Sequence, residues 1–306
     1  MCGIVGYVGT PGQSKPALGV VIDALRRMEY RGYDSAGIAL LDGSGGMAVE
    51  KKAGKLDNLV ATVESAGLEN YPATTGIGHT RWATHGRPTD INAHPHVDQL
   101  GKIAVVHNGI IENFAPLRAE LEAQGVEFTS ETDTETVTHL LHAEYYGEGP
   151  NAGNFTASVM AVINRLEGAF TLVIAHADHP DMLMACRRST PLVIGVGEHQ
   201  MFLGSDVAAF IEHTREAVEL GQDNVVTITA DGYTITDFEG NPVEGRPFTI
   251  DWDLEAAEKC GYDYFMLKEI AEQPQAIADT LLGRLSDRGD IQLDEVRLTD
   301  QDLRDV

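Results

Sequence analysis

The sequence predicts an α+β fold in which two mainly antiparallel β-sheets lie face to face between layers of helix. Strand-like segments form one group before residue 110 and a second group after residue 168, with amphipathic helical segments between and beside them. No repeating βαβ unit occurs along the chain, which disfavours a doubly wound parallel sheet. Because a sheet buried on both faces needs cover on each side, two facing sheets with helices outside satisfy the pattern.

The first half of the chain alternates strands with two amphipathic helices. Apolar, glycine-spaced residues predict a buried strand over 2–9, and apolar residues at helical spacing predict a helix over 15–30. Further strands are predicted at 37–42, 47–53, 75–80 and 102–106, with a helix at 56–66. The glycine cluster at 43–46 is typical of a hairpin turn, because no helix follows it as a phosphate-binding loop requires.

Helices come first in the second half, and short strands follow them. The predicted helices cover 112–124, 133–146 and 155–166, and the predicted strands cover 169–176, 182–187, 192–196, 201–204, 224–229 and 233–237. After about residue 246 the strand patterns stop, and helices are predicted at 252–260 and 264–283, with Pro274 kinking or dividing the second. We therefore predict one domain over 1–245 and a linker with a helical connection over 246–306.

Composition excludes several classes of function. The net charge of −25 disfavours nucleic acid and anionic membranes, since both need a basic face on the protein. No apolar run approaches the ~18 residues that a membrane-spanning helix needs. Three scattered cysteines are too few for a disulfide framework, and the N-terminus lacks the basic region of a signal peptide. These features predict a cytoplasmic protein without a membrane segment.

A cluster of histidines raises the question of a metal. His94-Pro95-His96 lies near His79 and His85 in the sequence, but no Asp, Glu or Cys stands at a helical spacing from these imidazoles. No metal and no other cofactor is therefore predicted.

Cys2 is the first candidate for chemistry. Removal of Met1 would leave a thiol and a free α-amine on one residue. An α-amine titrates near ~8 and a thiol near ~8.5, so the amine can accept the thiol proton at neutral pH. A cysteine at the second position can equally be an accident of sequence, and other residues must decide between the two interpretations.

Three polar segments supply those residues. Arg81, after a predicted strand, offers a fork of donors for a carboxylate, although a surface ion pair is the alternative. Asn108 and Gly109 offer two converging donors for an oxyanion, although Asn-Gly is also a common turn dipeptide. Asp133 offers a carboxylate for an ammonium group, although residues 130–135 also match a helix N-cap. Together with Cys2 they describe a pocket for glutamine, whose three polar groups each find a partner.

Four motifs resemble those of the class II (N-terminal nucleophile) glutamine amidotransferases. They are Cys2-Gly3-Ile4-Val5-Gly6, Arg31-Gly32-Tyr33-Asp34-Ser35-Ala36-Gly37, Gly78-His79-Thr80-Arg81-Trp82-Ala83-Thr84-His85-Gly86 and Val106-His107-Asn108-Gly109. Residues 82–96 and 264–274 are similar to the branch of this family that makes glucosamine 6-phosphate from fructose 6-phosphate, and unlike the purine-pathway branch.

The resemblance implies a four-layer αββα fold for residues 2–245 and the release of glutamate and ammonia from glutamine. The site residues that it implies are Cys2 as nucleophile, Asn108 and Gly109 as oxyanion donors, Arg81 for the α-carboxylate, Asp133 for the α-ammonium, Trp82, Thr84, His85 and Gly86 as pocket lining, and Arg31 as support for the N-terminus.

In that branch a sugar-isomerase domain follows the glutaminase domain, and this chain has no serine-rich phosphate-binding loop of that kind. The expected partners are thus glutamine and a C-terminal sugar-isomerase domain, and a homodimer is left open. Two alternatives remain: a catalytically silent glutamine-binding or interaction module of the same fold, and a glutaminase that serves another acceptor such as phosphoribosyl pyrophosphate.

Overall fold

The computed structural model describes residues 2–83, 86–251, 262 and 265–281. The chain divides into two compact units, Met1–Leu254 and Glu255–Val306. Met1, Thr84, His85, the predicted helix at 252–260 and the polar residues 284–306 lie outside the described residues.

The first sheet has eight strands and contains the N-terminal strand in its interior. Its strands are β1 (Gly3–Gly9), β2 (Ser35–Leu41), β3 (Met47–Ala53), β4 (Thr75–Arg81), β9 (Val193–Gly197), β10 (Gln200–Gly204), β11 (Glu216–Glu219) and β14 (Arg246–Thr249). They lie in the order β14-β11-β9-β10-β1-β4-β2-β3, and every recorded pair is antiparallel. β1 is therefore held on both sides, by β10 and β4.

The second sheet has six strands. They are β5 (His96–Val97), β6 (Ile103–Ile111), β7 (Gly168–His176), β8 (Met182–Arg188), β12 (Asn224–Thr229) and β13 (Gly232–Asp237), in the order β13-β12-β8-β7-β6-β5. All its recorded pairs are also antiparallel.

Three short strands depart from the sequence prediction. The sequence patterns give no strand at β5 or β11 and place residues 246–249 in the connecting segment, whereas β14 pairs with β11 at the edge of the first sheet. Segments of two to four residues are too short to show the alternation on which strand prediction depends. The first sheet thus extends beyond residue 245.

Helices cover the outer face of each sheet. α1 (Ala17–Arg27) and α2 (Leu56–Ser65) pack on the first sheet, and α3 (Phe114–Ala123), α4 (Thr134–Tyr146) and α5 (Phe155–Ile163) belong to the layer on the second. In the second unit, α6 (Phe265–Leu281) continues through Pro274, so the proline does not divide this helix. Among the described residues, no helix combines the length and the apolar character needed to cross a membrane.

Apolar cores formed by buried side chains hold the layers together. One lies between the sheets and includes Ile4, Ile77, Ala104 and Val106, all buried. Another lies between the second sheet and its helices. Burial of apolar surface at each interface stabilises the stack by about 25 cal/mol per Å². The predicted α+β sandwich with four layers, helix, sheet, sheet, helix, is confirmed.

Candidate active site

The site forms where strands of the two sheets meet. Gly3 of β1 pairs with Thr80 of β4, so Cys2 lies beside the end of β4 at Arg81. Because successive side chains of a strand point to opposite faces, Arg81 shares the inward face of Ile77, and Asn108 of β6 shares the inward face of Ala104 and Val106. The two sheets thus present these side chains to each other.

A cavity of about 420 Å³ opens at this junction. It is lined by Cys2, Arg31, Arg81, Trp82, His94, His107, Asn108, Gly109, Ile110, Thr132, Asp133, Thr190, Pro191 and Ser205. This volume lies within the range of small-molecule pockets. The structure brings together the residues of all three polar segments with Cys2.

The Cys2 thiol is partly exposed and contacts the Trp82 backbone. The Trp82 N–H donates to Cys2 Sγ at 3.1 Å, and the Trp82 carbonyl oxygen lies 3.5 Å from the same sulfur. Burial raises the pKa of the Cys2 thiol above its usual value, while the Trp82 N–H and the Arg81 guanidinium act in the opposite direction. The thiol is therefore protonated at neutral pH and needs a base before it can attack.

Asn108 and Gly109 lie within strand β6, so the alternative interpretation of this dipeptide as a turn is wrong. Asn108 Nδ2 donates to the Cys2 carbonyl oxygen at 2.9 Å, which places the amide beside Cys2. Gly109 has a φ of 123°, and a Cβ on it would lie 2.0 Å from the Ala169 carbonyl oxygen of the paired strand. The position therefore requires glycine.

Arg81 is buried, which rules out the alternative of a surface ion pair. Its guanidinium donates to the carbonyl oxygens of Gly86 and Arg87, each at 3.4 Å. Burial lowers the pKa of Arg81, and the nearby Cys2 and Asp133 act against that shift. An arginine remains charged after a shift of this kind, so the cavity contains a positive group.

Asp133 stands directly before helix α4, yet its side chain makes no capping bond to that helix. Its Oδ2 accepts the Ile111 N–H at 2.8 Å. Glu135 instead accepts the backbone N–H groups of Thr129 and Ser130, at 2.8 and 2.6 Å, where the helix begins. The Asp133 side chain therefore does not cap the helix, and Asp133 lines the cavity.

The remaining predicted residues have different surroundings. Trp82 is 47% exposed and its ring meets Tyr33 edge to face, with 5.5 Å between ring centroids. Gly86 has a φ of 77° and packs against Asn92. Thr84 and His85 lie outside the described residues.

Arg31 lines the cavity, and its guanidinium is held by two neighbouring side chains. It pairs with Asp206 at 2.7 Å and donates to Tyr30 Oη at 3.2 Å. Its support of the N-terminus stays a prediction.

No functional role is predicted from the sequence for Asp34 or His79, although the structure places both beside the site. Asp34 Oδ2 accepts the Ala83 N–H at 2.8 Å, and the Asp34 N–H donates to the Arg81 carbonyl oxygen at 3.0 Å. His79 lies two residues before Arg81 on the inward face of β4, with its Nε2 3.1 Å from Asn108 Oδ1. The sequence could have indicated His79, because residues two apart in a strand share a face and Arg81 was already a candidate. It could not have indicated Asp34, because the contact of Asp34 depends on the path of a loop.

His79 belongs to a buried group of four histidines with His94, His96 and His107. The His79 and His94 rings lie 4.4 Å apart, and the His94 and His96 rings 4.9 Å apart. Thr134 Oγ1 lies 2.9 Å from both His94 Nε2 and His107 Nδ1. Burial lowers the pKa of each of the four imidazoles. Across the described residues, no group of three or more His, Cys, Asp or Glu side chains is arranged to hold a metal ion.

Comparisons with known proteins indicate the class of protein to which this fold and site correspond. The family described as a glutamine amidotransferase domain matches residues 79–212. The glutamine phosphoribosylpyrophosphate amidotransferase from B. subtilis shares the fold with a TM-score of 0.64 at 23% identity, over 79% of this chain and 50% of that chain. Residues 79–212 thus match a glutamine amidotransferase domain, and the chain shares its fold with a known glutamine amidotransferase.

Comparison with individual relatives shows which branch of the amidotransferases the chain is most similar to among those compared. Over its whole length the chain is 66% identical to the glutamine–fructose-6-phosphate aminotransferase (isomerizing) of Mycolicibacterium smegmatis and 59% identical to that of Streptomyces coelicolor. It covers 49% and 48% of those proteins, so it spans about half the length of the curated relatives it matches. The predicted resemblance to this branch of the family is confirmed.

Proposed function

We propose that this chain hydrolyses glutamine to glutamate and ammonia, with Cys2 as the nucleophile once Met1 is removed. The observation that carries the proposal is the single cavity in which Cys2, Arg81, Asn108 and Asp133 meet. Arg81 matches the α-carboxylate of glutamine, Asp133 matches its α-ammonium, and Cys2 and Asn108 match its side-chain carboxamide.

Charge complementarity sets the pose of the substrate. The Arg81 guanidinium binds the α-carboxylate through its fork of donors, and the Asp133 carboxylate binds the α-ammonium. The side-chain carboxamide then extends towards Cys2. Trp82 lines the pocket beside it, and the sequence assigns Thr84, His85 and Gly86 to the same lining.

The reaction needs a base, an oxyanion site and a proton for the leaving group. The free α-amine of Cys2 takes the thiol proton, and the thiolate attacks the δ-carbon of glutamine. The Gly109 N–H and the second hydrogen of Asn108 Nδ2 stabilise the oxyanion, since the first hydrogen is bound to the Cys2 carbonyl. The ammonium form of the amine then protonates the carboxamide nitrogen, the C–N bond breaks and ammonia leaves, and water hydrolyses the resulting γ-glutamyl thioester to glutamate and the free thiol.

The acceptor of the ammonia is the second part of the proposal. The relatives are named glutamine–fructose-6-phosphate aminotransferases, and the chain matches them along its whole length. We therefore assign the ammonia to the synthesis of glucosamine 6-phosphate from fructose 6-phosphate in a C-terminal sugar-isomerase domain, in the cytoplasm. The lengths of the relatives leave room for such a domain. A homodimer stays a prediction.

The nucleophile is tested by mass spectrometry and by glutamate release. Protein lacking Met1 should gain one adduct at Cys2 from an electrophilic glutamine analogue. Cys2→Ala should lose at least about 10³-fold in kcat, since removing a catalytic nucleophile leaves only the remaining contacts. Cys186→Ala is the control, because Cys186 is fully buried in the core between sheet and helices.

Two outcomes would contradict the proposal. A Met1-free protein that takes no adduct, or a Cys2→Ala variant with unchanged glutamate release, would support the silent glutamine-binding module instead. For the acceptor, the full-length protein should form glucosamine 6-phosphate from glutamine and fructose 6-phosphate, and transfer to phosphoribosyl pyrophosphate would favour the alternative acceptor.

A further inference from the structure

We propose that His79 is a positioning residue that fixes the side-chain amide of Asn108 in the orientation in which it can stabilise the oxyanion. The inference rests on the proposed function, in which Asn108 supplies one of the two oxyanion donors. His79 is not one of the residues that line the cavity. It acts through Asn108.

His79 reaches across the interface between the two sheets. It belongs to β4 of the first sheet, and its fully buried Nε2 lies 3.0 Å from the His107 carbonyl oxygen and 3.1 Å from Asn108 Oδ1, both on β6 of the second sheet. Both neighbours are acceptors. Nε2 therefore carries the hydrogen and donates to both of them.

This hydrogen determines which way the Asn108 amide points. With Oδ1 towards His79, Nδ2 points to the Cys2 carbonyl oxygen, to which it donates at 2.9 Å. The reversed amide would set an N–H against the Nε2–H of His79, and an oxygen against the Cys2 carbonyl oxygen. Both contacts of the reversed amide are repulsive. The His79 Nε2–H and the Cys2 carbonyl oxygen therefore favour the same orientation of the Asn108 amide.

The histidine is suited to this task because it stays neutral. Burial lowers the pKa of His79 to about 3, so the ring carries one hydrogen at neutral pH. Nδ1 is buried and has no hydrogen-bond partner among the described residues, whereas Nε2 has two acceptors. The tautomer is thereby fixed, and the hydrogen on Nε2 faces Asn108 throughout the reaction.

A matched pair of substitutions in the intact, Met1-free protein tests the proposal. His79→Gln keeps an N–H donor at about the position of Nε2, and His79→Met has a similar length and no donor. We expect kcat for glutamate release to fall about tenfold or more in His79→Met, within the ~10²–10³-fold that loss of a whole oxyanion donor costs. KM should stay within about twofold, and His79→Gln should restore most of kcat.

A double-mutant cycle separates positioning from a general structural role. In an Asn108→Ala background, His79→Met should cause little further loss, because no amide remains to be oriented. Thermal unfolding shows whether each variant is folded. If His79→Met does not fold, His79→Asn replaces it, since its amide is too short to reach Asn108, and the same loss is expected.

Several results would overturn the inference: unchanged kcat in the folded His79→Met variant, equal losses in His79→Met and His79→Gln, or a full multiplicative loss in the Asn108→Ala background. Failure of the proposed function gives a different result. Asn108→Ala with parental kcat would contradict the oxyanion role itself, and Cys2→Ala with parental kcat would contradict the nucleophile.

Discussion

At the level of single residues, Asp133 shows how a side chain at the start of a helix can remain available for a ligand. The Asp133 side chain makes no capping bond to α4, while Glu135 accepts the backbone N–H groups of Thr129 and Ser130 in the preceding loop. One Asp133 oxygen accepts the Ile111 N–H, and this bond fixes the direction of the carboxylate. A charged group held in this way is suited to an ammonium ion.

Asp133→Asn should raise the KM for glutamine about tenfold or more, because a hydrogen bond to a charged group contributes roughly 1.5–3 kcal/mol. The asparagine oxygen can still accept the Ile111 N–H, so the free energy of unfolding should change little. The KM for glutamine and the inhibition constant of an analogue without the α-amine should be compared in both proteins. The preference for glutamine should shrink in the variant.

Asp57→Asn is the matched control, since Asp57 lies in the first turn of α2 with an exposed side chain. Its KM should equal that of the parent. An Asp133→Asn variant that keeps the full preference for the α-amine would refute the ammonium-binding role.

The candidate residues differ in how far the sequence could predict them. Cys2, Arg81, Asn108 and Asp133 each have a side chain whose chemistry is specific, and their joint match to glutamine could be predicted before the fold was known. The places of His79 and Asp34 beside the site could not be predicted in this way, because each depends on a contact with another segment. Those contacts depend on how β4 lies against β6 and on the path of the loop at 32–34.

At the level of elements, β6 carries its functional residues inside a continuous strand. The Asn-Gly dipeptide usually favours a turn, but here both residues pair with β7, Asn108 opposite Thr171 and Gly109 opposite Phe170. Tertiary pairing overrides the local preference. The distortion that the dipeptide brings is confined to the positive φ of Gly109.

Gly109→Ala should therefore be damaging in two ways. The added Cβ would overlap the Ala169 carbonyl oxygen, and the positive φ adds a cost of about 1–3 kcal/mol. We expect a lower urea midpoint and a loss of kcat, since the strand must shift at the oxyanion donor.

Gly19→Ala supplies the control on α1. No atom lies within 4 Å of the position of its Cβ, and alanine favours a helix over glycine by about 0.5–1 kcal/mol. That variant should be slightly more stable with unchanged activity. Parental stability in Gly109→Ala would mean that β6 can relax at this point.

At the level of the whole molecule, the sandwich depends on ionisable groups that are buried uncharged between its layers. The pKa of each of the four clustered histidines is lowered by burial. The unfolded chain therefore binds more protons than the folded chain once the pH falls below the ordinary histidine pKa of about 6.5.

The free energy of unfolding should accordingly be highest above pH ~6.5 with respect to these histidines, and it should fall as the pH drops towards 4. For His79, with a pKa lowered to about 3, the loss between pH 7 and pH 5 is about 2 kcal/mol. Urea unfolding at the two pH values measures the change. His79→Gln should reduce the pH dependence by about that amount, and His199→Gln, at a more exposed position, should leave it unaltered.

The layers themselves could be predicted from the sequence, because long alternating strands and amphipathic helices carry strong patterns. The strand order could not, since it places β1 between strands that are distant in sequence. The edge strands β5, β11 and β14 escaped prediction because of their length.

The interior position of β1 has a consequence for the timing of synthesis. Its backbone is held by β10 and by Ser205, whose Oγ accepts the Ile4 N–H across 201 positions of sequence. During translation the strand that delivers Cys2 must therefore wait for partners made much later. If Met1 is removed as the proposed function requires, the start of the chain is accessible to that cleavage until β10 and Ser205 are made, and the incomplete polypeptide carries the Cys2 thiol without an assembled site.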